Sequence, residues 1–462
     1  MITKENLLSA LAASVKRENV LTSVEDQIAY AYDASAPASD QLPLAIVRPG
    51  NTAEVCQVIR LANEQHIPIV PRGSGTGLAG STIPIPGSIV LLTTRLNRVI
   101  EVDTANLTAL VEPGVLTGDF VNAVEVLGLF YPPDPGSMSI STLGGNVALN
   151  SGGLRGLKYG VTRDYVLGLE VVLASGDVLH TGSKCKKDVA GYNLTSLFVG
   201  SEGTLGIITQ IMLRLLPKPA TQRTAVAFFD DIQAAAQVVA DIIAARIIPV
   251  TLEILDQVSL RCVDDYAHLD LPREAGAMLL IEVDGDPEVV DREIVQIAEI
   301  CRQDQSRNVE IASDPEHANR LKAARRTTLA ALARRQPTTI LEDVTVPRSQ
   351  IPEMVRRIRE IAARYQIEIA IFGHAGDGNL HPTGMTDARN NEEMGRIEAA
   401  FEEIFEAALA LGGTITGEHG VGLKKRHILP AKAGVAGMAT MKAIKHALDP
   451  NLILNPGKVF EV

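Results

Sequence analysis

The chain has 462 residues, of which 46% are hydrophobic and 4% aromatic, and its formal net charge is −12. The length fits about three folded units, and the negative charge without a long basic run argues against nucleic acid as a partner. The first residues lack the apolar stretch of a secretory signal. The charge-free stretches 73–94 and 135–154 are too rich in Gly, Pro, Ser and Thr to cross a membrane, so we expect a cytoplasmic protein.

The first half of the chain alternates short helices and strands. A helix is predicted over 52–65, with Asn51 as its N-cap and Glu54 in the capping-box position. A second helix is predicted over 117–127. Runs rich in Val, Ile and Leu predict strands at 67–70, 88–93, 98–102, 108–111, 165–174 and 206–216. Pro217 and Pro219 then mark a boundary, because two prolines interrupt both kinds of element.

The second half repeats a strand-then-helix pattern. It predicts strand 225–229 before helix 232–245, then strand 277–283 before a helix from 286 to 301, with Asp286 as N-cap. A further strand at 367–372 and a helix at 394–410 complete an α+β domain with an antiparallel sheet. The helix at 315–335 carries seven basic side chains, for which a solvated face is the default interpretation: His317, Arg320, Lys322, Arg325, Arg326, Arg334 and Arg335.

The four cysteines, Cys56, Cys185, Cys262 and Cys301, are far apart and form no CxxC pair. Neither a disulfide framework nor an iron–sulfur cluster is therefore expected. Cys185 lies among lysines, which would activate a thiol, but an ordinary exposed loop cysteine is the favoured interpretation.

A glycine-rich loop follows the strand at 67–70, and Gly75-Thr76-Gly77-Leu78-Ala79-Gly80 matches GxGxxG. A Rossmann crossover requires a helix to start there, yet Pro84 and Pro86 follow closely and forbid one. What the pattern supports is a loop whose main-chain N–H groups wrap a pyrophosphate. On this loop alone, a plain turn is an equal alternative.

Two further segments are rich in small residues. The first runs from 132 to 153 and the second, Gly203-Thr204-Leu205-Gly206-Ile207, is shorter. Glycine inside an apolar domain costs conformational entropy on folding. Close approach of a large ligand is one reason to tolerate that cost, so these segments favour a ligand over plain turns.

Three of the nine histidines lie in two segments, 373–381 and 417–420. Two imidazoles and one carboxylate satisfy a divalent cation while leaving a coordination position open, and His419, beside Glu418, would remain to move a proton. His374 and His381 are seven apart, which does not give a shared helix face, but a strand and a Gly-rich turn would aim both rings at one point. Ordinary polar turns are the alternative interpretation.

In this order and spacing, the segments 71–81, 132–153, 200–206 and the two histidine segments resemble the vanillyl-alcohol oxidase/p-cresol methylhydroxylase superfamily of flavoproteins. Within it the chain is similar to glycolate oxidase flavoprotein subunits and to FAD-dependent D-lactate and D-2-hydroxyglutarate dehydrogenases. The resemblance implies a two-part FAD-binding domain at 1–219, a cap domain with an antiparallel sheet flanked by helices at 220–411, and a C-terminal segment at 412–462 that returns to the flavin.

The resemblance also implies the site residues. The FAD-binding residues that it implies are Arg72, Gly73, Ser74, Gly75, Thr76, Gly77, Pro135, Ser141, Gly145, Asn146, Ser151, Ile207 and Asn455. Thr76 and its neighbours offer no histidine for a covalent link, so non-covalent FAD is expected. The implied metal ligands are His374, His381 and Glu418, for Zn, Mn or Fe. The implied catalytic base is His419, and Arg325 (or Arg326, one position along) would bind the substrate carboxylate.

The expected reaction is oxidation of a small D-2-hydroxy acid, D-lactate or glycolate, to the 2-oxo acid. Electrons would pass to an electron-transfer flavoprotein, an iron–sulfur subunit or a quinone-linked protein, through which the enzyme would meet the membrane. D-2-Hydroxyglutarate is a second candidate substrate, although 338–343 offers no basic residue for another carboxylate. Two alternatives are a metal-dependent hydrolase, which leaves the Gly-rich segments unexplained, and a non-catalytic subunit that binds FAD only.

Overall fold

The protein is described by a computed structural model that covers residues 3–35, 41–304 and 306–461. Tertiary contacts divide it into two compact units. The first unit consists of Met1–Ser151, Val161–Lys218 and Glu418–Val462, and the second of Gly152–Gly160 and Pro219–Gly417. The sequence predicts boundaries at 219 and 412. In the structure the chain passes from the first unit to the second after residue 218 and back after residue 417, and residues 152–160 also belong to the second unit.

The strands are, in chain order, β1 (Val20–Leu21), β2 (Ala45–Val47), β3 (Ile69–Arg72), β4 (Ile89–Leu92), β5 (Val99–Asp103), β6 (Thr108–Val111), β7 (Leu129–Phe130), β8 (Val166–Val172), β9 (Val178–Gly182), β10 (Ile207–Arg214), β11 (Leu216–Pro217), β12 (Thr221–Phe229), β13 (Thr251–Asp256), β14 (Ala277–Gly285), β15 (Asn308–Ile311), β16 (Thr338–Leu341), β17 (Val344–Thr345), β18 (Ile369–His374) and β19 (Asn379–Thr386).

The helices are α1 (Lys4–Val15), α2 (Val24–Ala29), α3 (Thr52–Gln65), α4 (Thr117–Glu125), α5 (Leu143–Leu149), α6 (Gly156–Tyr159), α7 (Leu194–Phe198), α8 (Ile232–Ala244), α9 (Gln257–Ala267), α10 (Pro287–Gln303), α11 (Pro315–Arg335), α12 (Ile351–Tyr365), α13 (Asn391–Ala410) and α14 (Leu429–Leu448), which is broken at Gly434. In the described part of the chain, no helix is both long and apolar enough to span a bilayer.

The first unit contains two larger sheets. The order in one is β1-β2-β4-β3, with β2, β4 and β3 parallel, and α1 and α3 pack their apolar faces in the same core cluster. The other is antiparallel, in the order β5-β6-β10-β8-β9. As predicted, Asn51 caps α3 by accepting a hydrogen bond from the Glu54 main-chain N–H at 2.9 Å.

The C-terminal segment bridges to the edge of the first sheet at one residue pair. Leu454 pairs with Ile69 in the parallel sense, the Ile69 N–H donates to the Ile453 carbonyl, and the Asn455 N–H donates to the Ile69 carbonyl, both at 2.7 Å. These bonds occupy the edge of β3 that β4 leaves open. Residues 453–455 therefore hydrogen-bond to the outer edge of β3, the strand that leads into the Gly-rich loop.

The second unit is built on one antiparallel sheet with the strand order β15-β12-β14-β13-β18-β19-β16, and β17 also pairs with β19. Helices α9 and α11 share an apolar cluster with one face of the sheet, while α8, α10 and α12 pack on its strands and on one another. The predicted antiparallel sheet flanked by helices is thus confirmed. Asp286 caps α10, with Pro287 in its first turn, as the sequence predicts.

Candidate active site

His374 and His381 lie on a hairpin formed by β18 and β19. The register pairs Phe372 with His381 and His374 with Asn379. Side chains alternate between faces along a strand. His374 is two positions from Phe372, the residue that pairs with His381, so both histidines project from the same face of the hairpin. Their ring centroids are 5.0 Å apart, and both side chains are buried. A hairpin thus brings together two residues that a helix would separate.

Glu418 joins the two histidines in a candidate metal site. One ligand atom from each of His374, His381 and Glu418 lies within 4.8 Å of the others. Glu418 directly follows Gly417, whose N–H donates to Asp343 in the second unit at 2.6 Å. Two imidazole nitrogens and one carboxylate oxygen are donors that suit a divalent transition metal. The residues present therefore fit the cation that the sequence predicts.

Glu253 is a site residue that the sequence analysis missed. It is fully buried in β13, where Ile254 pairs with Gly373, so the register places Glu253 beside His374. One carboxylate oxygen is 2.6 Å from His374 Nδ1, and the other accepts from Arg325 Nε at 2.5 Å. Burial acts to raise the pKa of Glu253, but the charges of His374 and Arg325 outweigh it and hold that pKa below its usual value. The available signal was a lone acid inside the apolar run Leu252–Leu255.

Arg325 projects from α11 towards the sheet. Its side chain is 16% exposed, and its guanidinium lies 5.0 Å from the centre of the Phe372 ring. Arg326 is exposed, so of the two candidates it is Arg325 that reaches the partner of His374. The solvated face expected for this helix is wrong for Arg325 and for Lys322, which pairs with the buried Glu282 at 3.1 Å. Apolar residues of α11 pack on the sheet, so the aliphatic parts of the neighbouring Arg325 and Lys322 side chains are also partly buried.

His419 is the second residue of the third segment of the first unit and is buried. The loop that follows it is held by Glu202, which accepts main-chain hydrogen bonds from Val421 at 2.8 Å and Gly422 at 2.9 Å. Glu202 also accepts a short hydrogen bond from the Ser81 hydroxyl. Burial raises the pKa of Glu202, and these three donors work against that shift. The carboxylate therefore ties the His419 loop to the segment after the Gly-rich loop.

The predicted phosphate loop begins with Arg72 at the end of β3 and continues as an irregular loop through Gly73, Ser74, Gly75, Thr76 and Gly77, without a helix after it, as expected. The Arg72 guanidinium folds back inside the loop, where Nη1 donates to the Tyr32 carbonyl at 2.7 Å. Gly75 has φ of +75°, and a Cβ there would lie 2.0 Å from Arg72 Nη2. Arg72 therefore shapes the loop from within, and only glycine fits at position 75.

The Gly-rich loop and the second small-residue segment meet in the first unit. A Cβ on Gly73 would lie 2.3 Å from the hydroxyl of Thr142, which caps α5 by accepting from the Gly145 N–H. Asn146, also on α5, donates from its side chain to Thr117 at 2.7 Å. The structure thus brings 73–77 and 141–146 together.

Of the other residues predicted to bind FAD, Ser141 and Ser151 lie beside Asn146: Ser141 shares the Thr117 hydroxyl with it, and the Ser151 N–H donates to its carbonyl. Ser141 and Ser151 accept main-chain bonds from Thr117 and Thr162, and the Pro135 carbonyl accepts one from Met138. Ile207 packs its side chain in the core, so a ligand would meet only its main chain.

Two buried polar atoms show whether the first unit suits a large polar ligand. Asn455 donates from its side chain to the carbonyls of Ser81 and Glu202. Within the described residues, Asn455 Oδ1 and Arg72 Nε are buried and make no hydrogen bond with protein. These two buried, unsatisfied polar atoms beside the Gly-rich loop fit a large polar ligand such as FAD.

Comparison with known proteins identifies the family of the chain. The family described as "FAD linked oxidases, C-terminal domain" matches residues 218–459, and "FAD binding domain" matches 43–182. The chain belongs to the FAD-linked oxidase family. It is an oxidoreductase with an FAD-binding domain, and the resemblance found in its motifs is confirmed.

Relatives of this FAD-linked oxidase match along almost its whole length. It is 56% identical to "Glycolate oxidase subunit GlcD" of Bacillus subtilis, over 100% of this chain and 97% of that protein. It is 33% identical to "D-lactate dehydrogenase" of Anaerostipes hadrus, over 96% of this chain and 94% of that protein. The fold matches p-cresol methylhydroxylase with a TM-score of 0.83 at 20% identity, covering 99% and 97% of the two chains.

Proposed function

We propose that this FAD-linked oxidase converts a small D-2-hydroxy acid, D-lactate or glycolate, to its 2-oxo acid with the help of a divalent cation. The observation that carries the proposal is the convergence of ligand atoms from His374, His381 and Glu418 within 4.8 Å. The names of two relatives, a glycolate oxidase subunit and a D-lactate dehydrogenase, support the substrate class.

Each site residue has a separate task in this reaction. When bound, FAD would supply the hydride acceptor, and Zn, Mn or Fe held by His374, His381 and Glu418 would supply a Lewis acid that lowers the pKa of the substrate hydroxyl. The Arg325 Nε already binds Glu253, so its two Nη groups would grip the substrate carboxylate as a fork. The imidazole of His419 would accept the hydroxyl proton, because imidazole is the side chain most often used as a general base. The FAD itself would be held without a covalent bond by the loop at 72–77 and by residues 135–151.

The role of His419 is tested by His419→Ala. A general base typically contributes about 10²–10⁴-fold, so we expect the rate of anaerobic flavin reduction to fall by about that factor while FAD and metal are retained. His446→Ala, which removes an exposed histidine of the same unit, is the control. Flavin reduction at the wild-type rate in His419→Ala would exclude this residue as the base.

The metal site is tested separately by His374→Ala. Elemental analysis of the purified variant should show loss of Zn, Mn or Fe, with FAD still present, because the cation would keep only two protein ligands. His446→Ala again serves as control. An unchanged metal content in His374→Ala would count against this ligand set.

Substrate choice is tested by anaerobic bleaching of the flavin with a panel of D- and L-2-hydroxy acids. The segment 338–343 offers no basic residue, and Lys322 already pairs with Glu282. A second carboxylate, as in D-2-hydroxyglutarate, therefore lacks an evident partner there. We expect faster bleaching by D-lactate or glycolate, and the opposite order would identify the dicarboxylate as substrate.

Electrons must then leave the flavin. The four cysteines are free and scattered, and the Bacillus subtilis relative is named as a subunit. We therefore propose a protein acceptor: an electron-transfer flavoprotein, an iron–sulfur subunit or a quinone-linked protein. A cytoplasmic location, with any membrane contact made through that partner, is part of the same proposal. Substrate-reduced enzyme should stay reduced in air, and rapid reoxidation would overturn the need for a partner.

A further inference from the structure

Glu253 is a buried acid for which the proposed reaction has no task. Its neighbours in β13, Leu252, Ile254 and Leu255, are buried and apolar. A charged carboxylate in such surroundings is costly unless charged or hydrogen-bonding partners surround it. Glu253 has two such partners, and both belong to the proposed reaction.

The two partners bind opposite oxygens of the same carboxylate. Oε1 lies 2.6 Å from His374 Nδ1, and Oε2 accepts from Arg325 Nε at 2.5 Å. A carboxylate only accepts hydrogen bonds and has two oxygens, so it satisfies both donors at once. An amide in the same place would present one acceptor and one donor and would satisfy only one of them.

We propose that Glu253 is the positioning residue that sets up His374 and Arg325 together, an inference that rests on the proposed function. By accepting from Nδ1, it fixes the tautomer of His374 in which Nε2 carries the lone pair for a cation. By holding Nε of Arg325, it turns the Nη end of the guanidinium towards a substrate carboxylate. A single side chain thus couples the ligand of the cation to the anchor of the substrate.

Glu282 offers a matched control within the same unit. It is another buried glutamate of the sheet, in β14, and it pairs with Lys322 of the same helix, α11, at 3.1 Å. It also accepts from the Thr224 hydroxyl at 2.9 Å. Glu282→Gln therefore removes a comparable buried charge paired to the same helix, without touching His374 or Arg325.

The test measures Mn²⁺ binding to metal-depleted protein that retains FAD, by calorimetric titration or by the spectrum of free Mn²⁺. Loss of a carboxylate behind a metal-binding histidine typically weakens affinity about 10–100-fold. We expect that loss for Glu253→Ala and a change below about threefold for Glu282→Gln, less than the effect of a lost supporting carboxylate. Circular dichroism and FAD content verify that each variant is folded.

A second pair of variants separates positioning from simple loss of charge. In Glu253→Gln, His374 and Arg325 compete for one amide oxygen, so Mn²⁺ binding should weaken. Adding Arg325→Met removes the competitor, and the double variant should bind Mn²⁺ more tightly than Glu253→Gln alone. Equal weakening by Gln and Ala, with no effect of Arg325→Met, would overturn the inference.

The inference and the proposed function fail in different ways. If wild-type protein and His374→Ala bind Mn²⁺ equally, the metal site itself is wrong. If wild-type binds Mn²⁺, His374→Ala does not, and Glu253→Ala binds like wild-type, only the role of Glu253 is wrong.

Discussion

Replacing Glu202 by Ala is the sharpest test of how the loop after His419 is held. Glu202 is buried and accepts from the main-chain N–H groups of Val421 and Gly422. Each buried donor left without an acceptor costs about 1–3 kcal/mol. For the two N–H groups together, Glu202→Ala should lower the free energy of unfolding of the first unit by about 2–6 kcal/mol.

The Gln variant makes the expected loss more specific. Its amide oxygen serves one N–H group, whereas its NH₂ group cannot accept from the other. Glu202→Gln should therefore cost about half as much as Glu202→Ala, roughly 1–3 kcal/mol. The chain has no Trp, so urea unfolding is best followed by flavin fluorescence and far-UV circular dichroism.

A functional effect should accompany the stability loss. Val421 and Gly422 lie two and three residues after His419, so loosening them displaces the proposed base, and kcat should fall more than KM rises. Glu112→Ala is the control, because Glu112 is also buried in the first unit and accepts the Arg98 main-chain N–H at 2.8 Å. It should lose stability without losing flavin-reduction rate. Wild-type stability in Glu202→Ala, or equal rate losses in both variants, would refute this reasoning.

Three further predictions concern single positions. Lys445→Met removes the partner of the buried Asp449, at 2.6 Å, and should lower the free energy of unfolding by about 3–5 kcal/mol in urea. Burial raises the pKa of Asp256 to about 6 in the folded protein, so the native state holds a proton that the unfolded state releases above about pH 4. Stability should fall by about 3 kcal/mol between pH 4 and pH 6, and Asp256→Asn should remove that part of the pH dependence of urea unfolding. Gly75→Ala places a side chain at φ +75° against Arg72 and should weaken FAD binding about tenfold, measured by flavin fluorescence; unchanged affinity would contradict the tight-loop explanation.

Local signals in the sequence predicted much of the fold. The predicted helices at 52–65 and 315–335 coincide with α3 and α11 because caps and prolines define their starts. The proline pair after the Gly-rich loop correctly excluded a Rossmann helix. In both cases the deciding residues lie within a few positions of the element.

Features set by distant contacts were not predictable in this way. The short helix α5 contains Gly144, which suits no helix by propensity, but a Cβ there would lie 2.4 Å from Pro113. Glu253 contacts His374 only because β13 pairs with β18, two strands that are far apart in the sequence. Likewise, nothing local shows that residues 152–160 pack with the second unit.

Some site residues could likewise be predicted from local spacing, and others could not because their partners are distant in the sequence. The proximity of His374 and His381 could be predicted because only a short turn separates them along the chain. The partners of Arg325 and Lys322 come from other strands of the sheet, and no pattern within α11 distinguishes these two from its exposed basic residues.

The pairing of Leu454 with Ile69 has a consequence for biosynthesis. The edge of β3 lacks its neighbour until the ribosome has made the last part of the chain. At about 5–20 residues per second, the residues from 219 to 417 alone take roughly 10–40 s to synthesise. During that interval a nascent chain displays an open strand edge beside an apolar core, which is the kind of surface that chaperones bind and that promotes aggregation when they are absent.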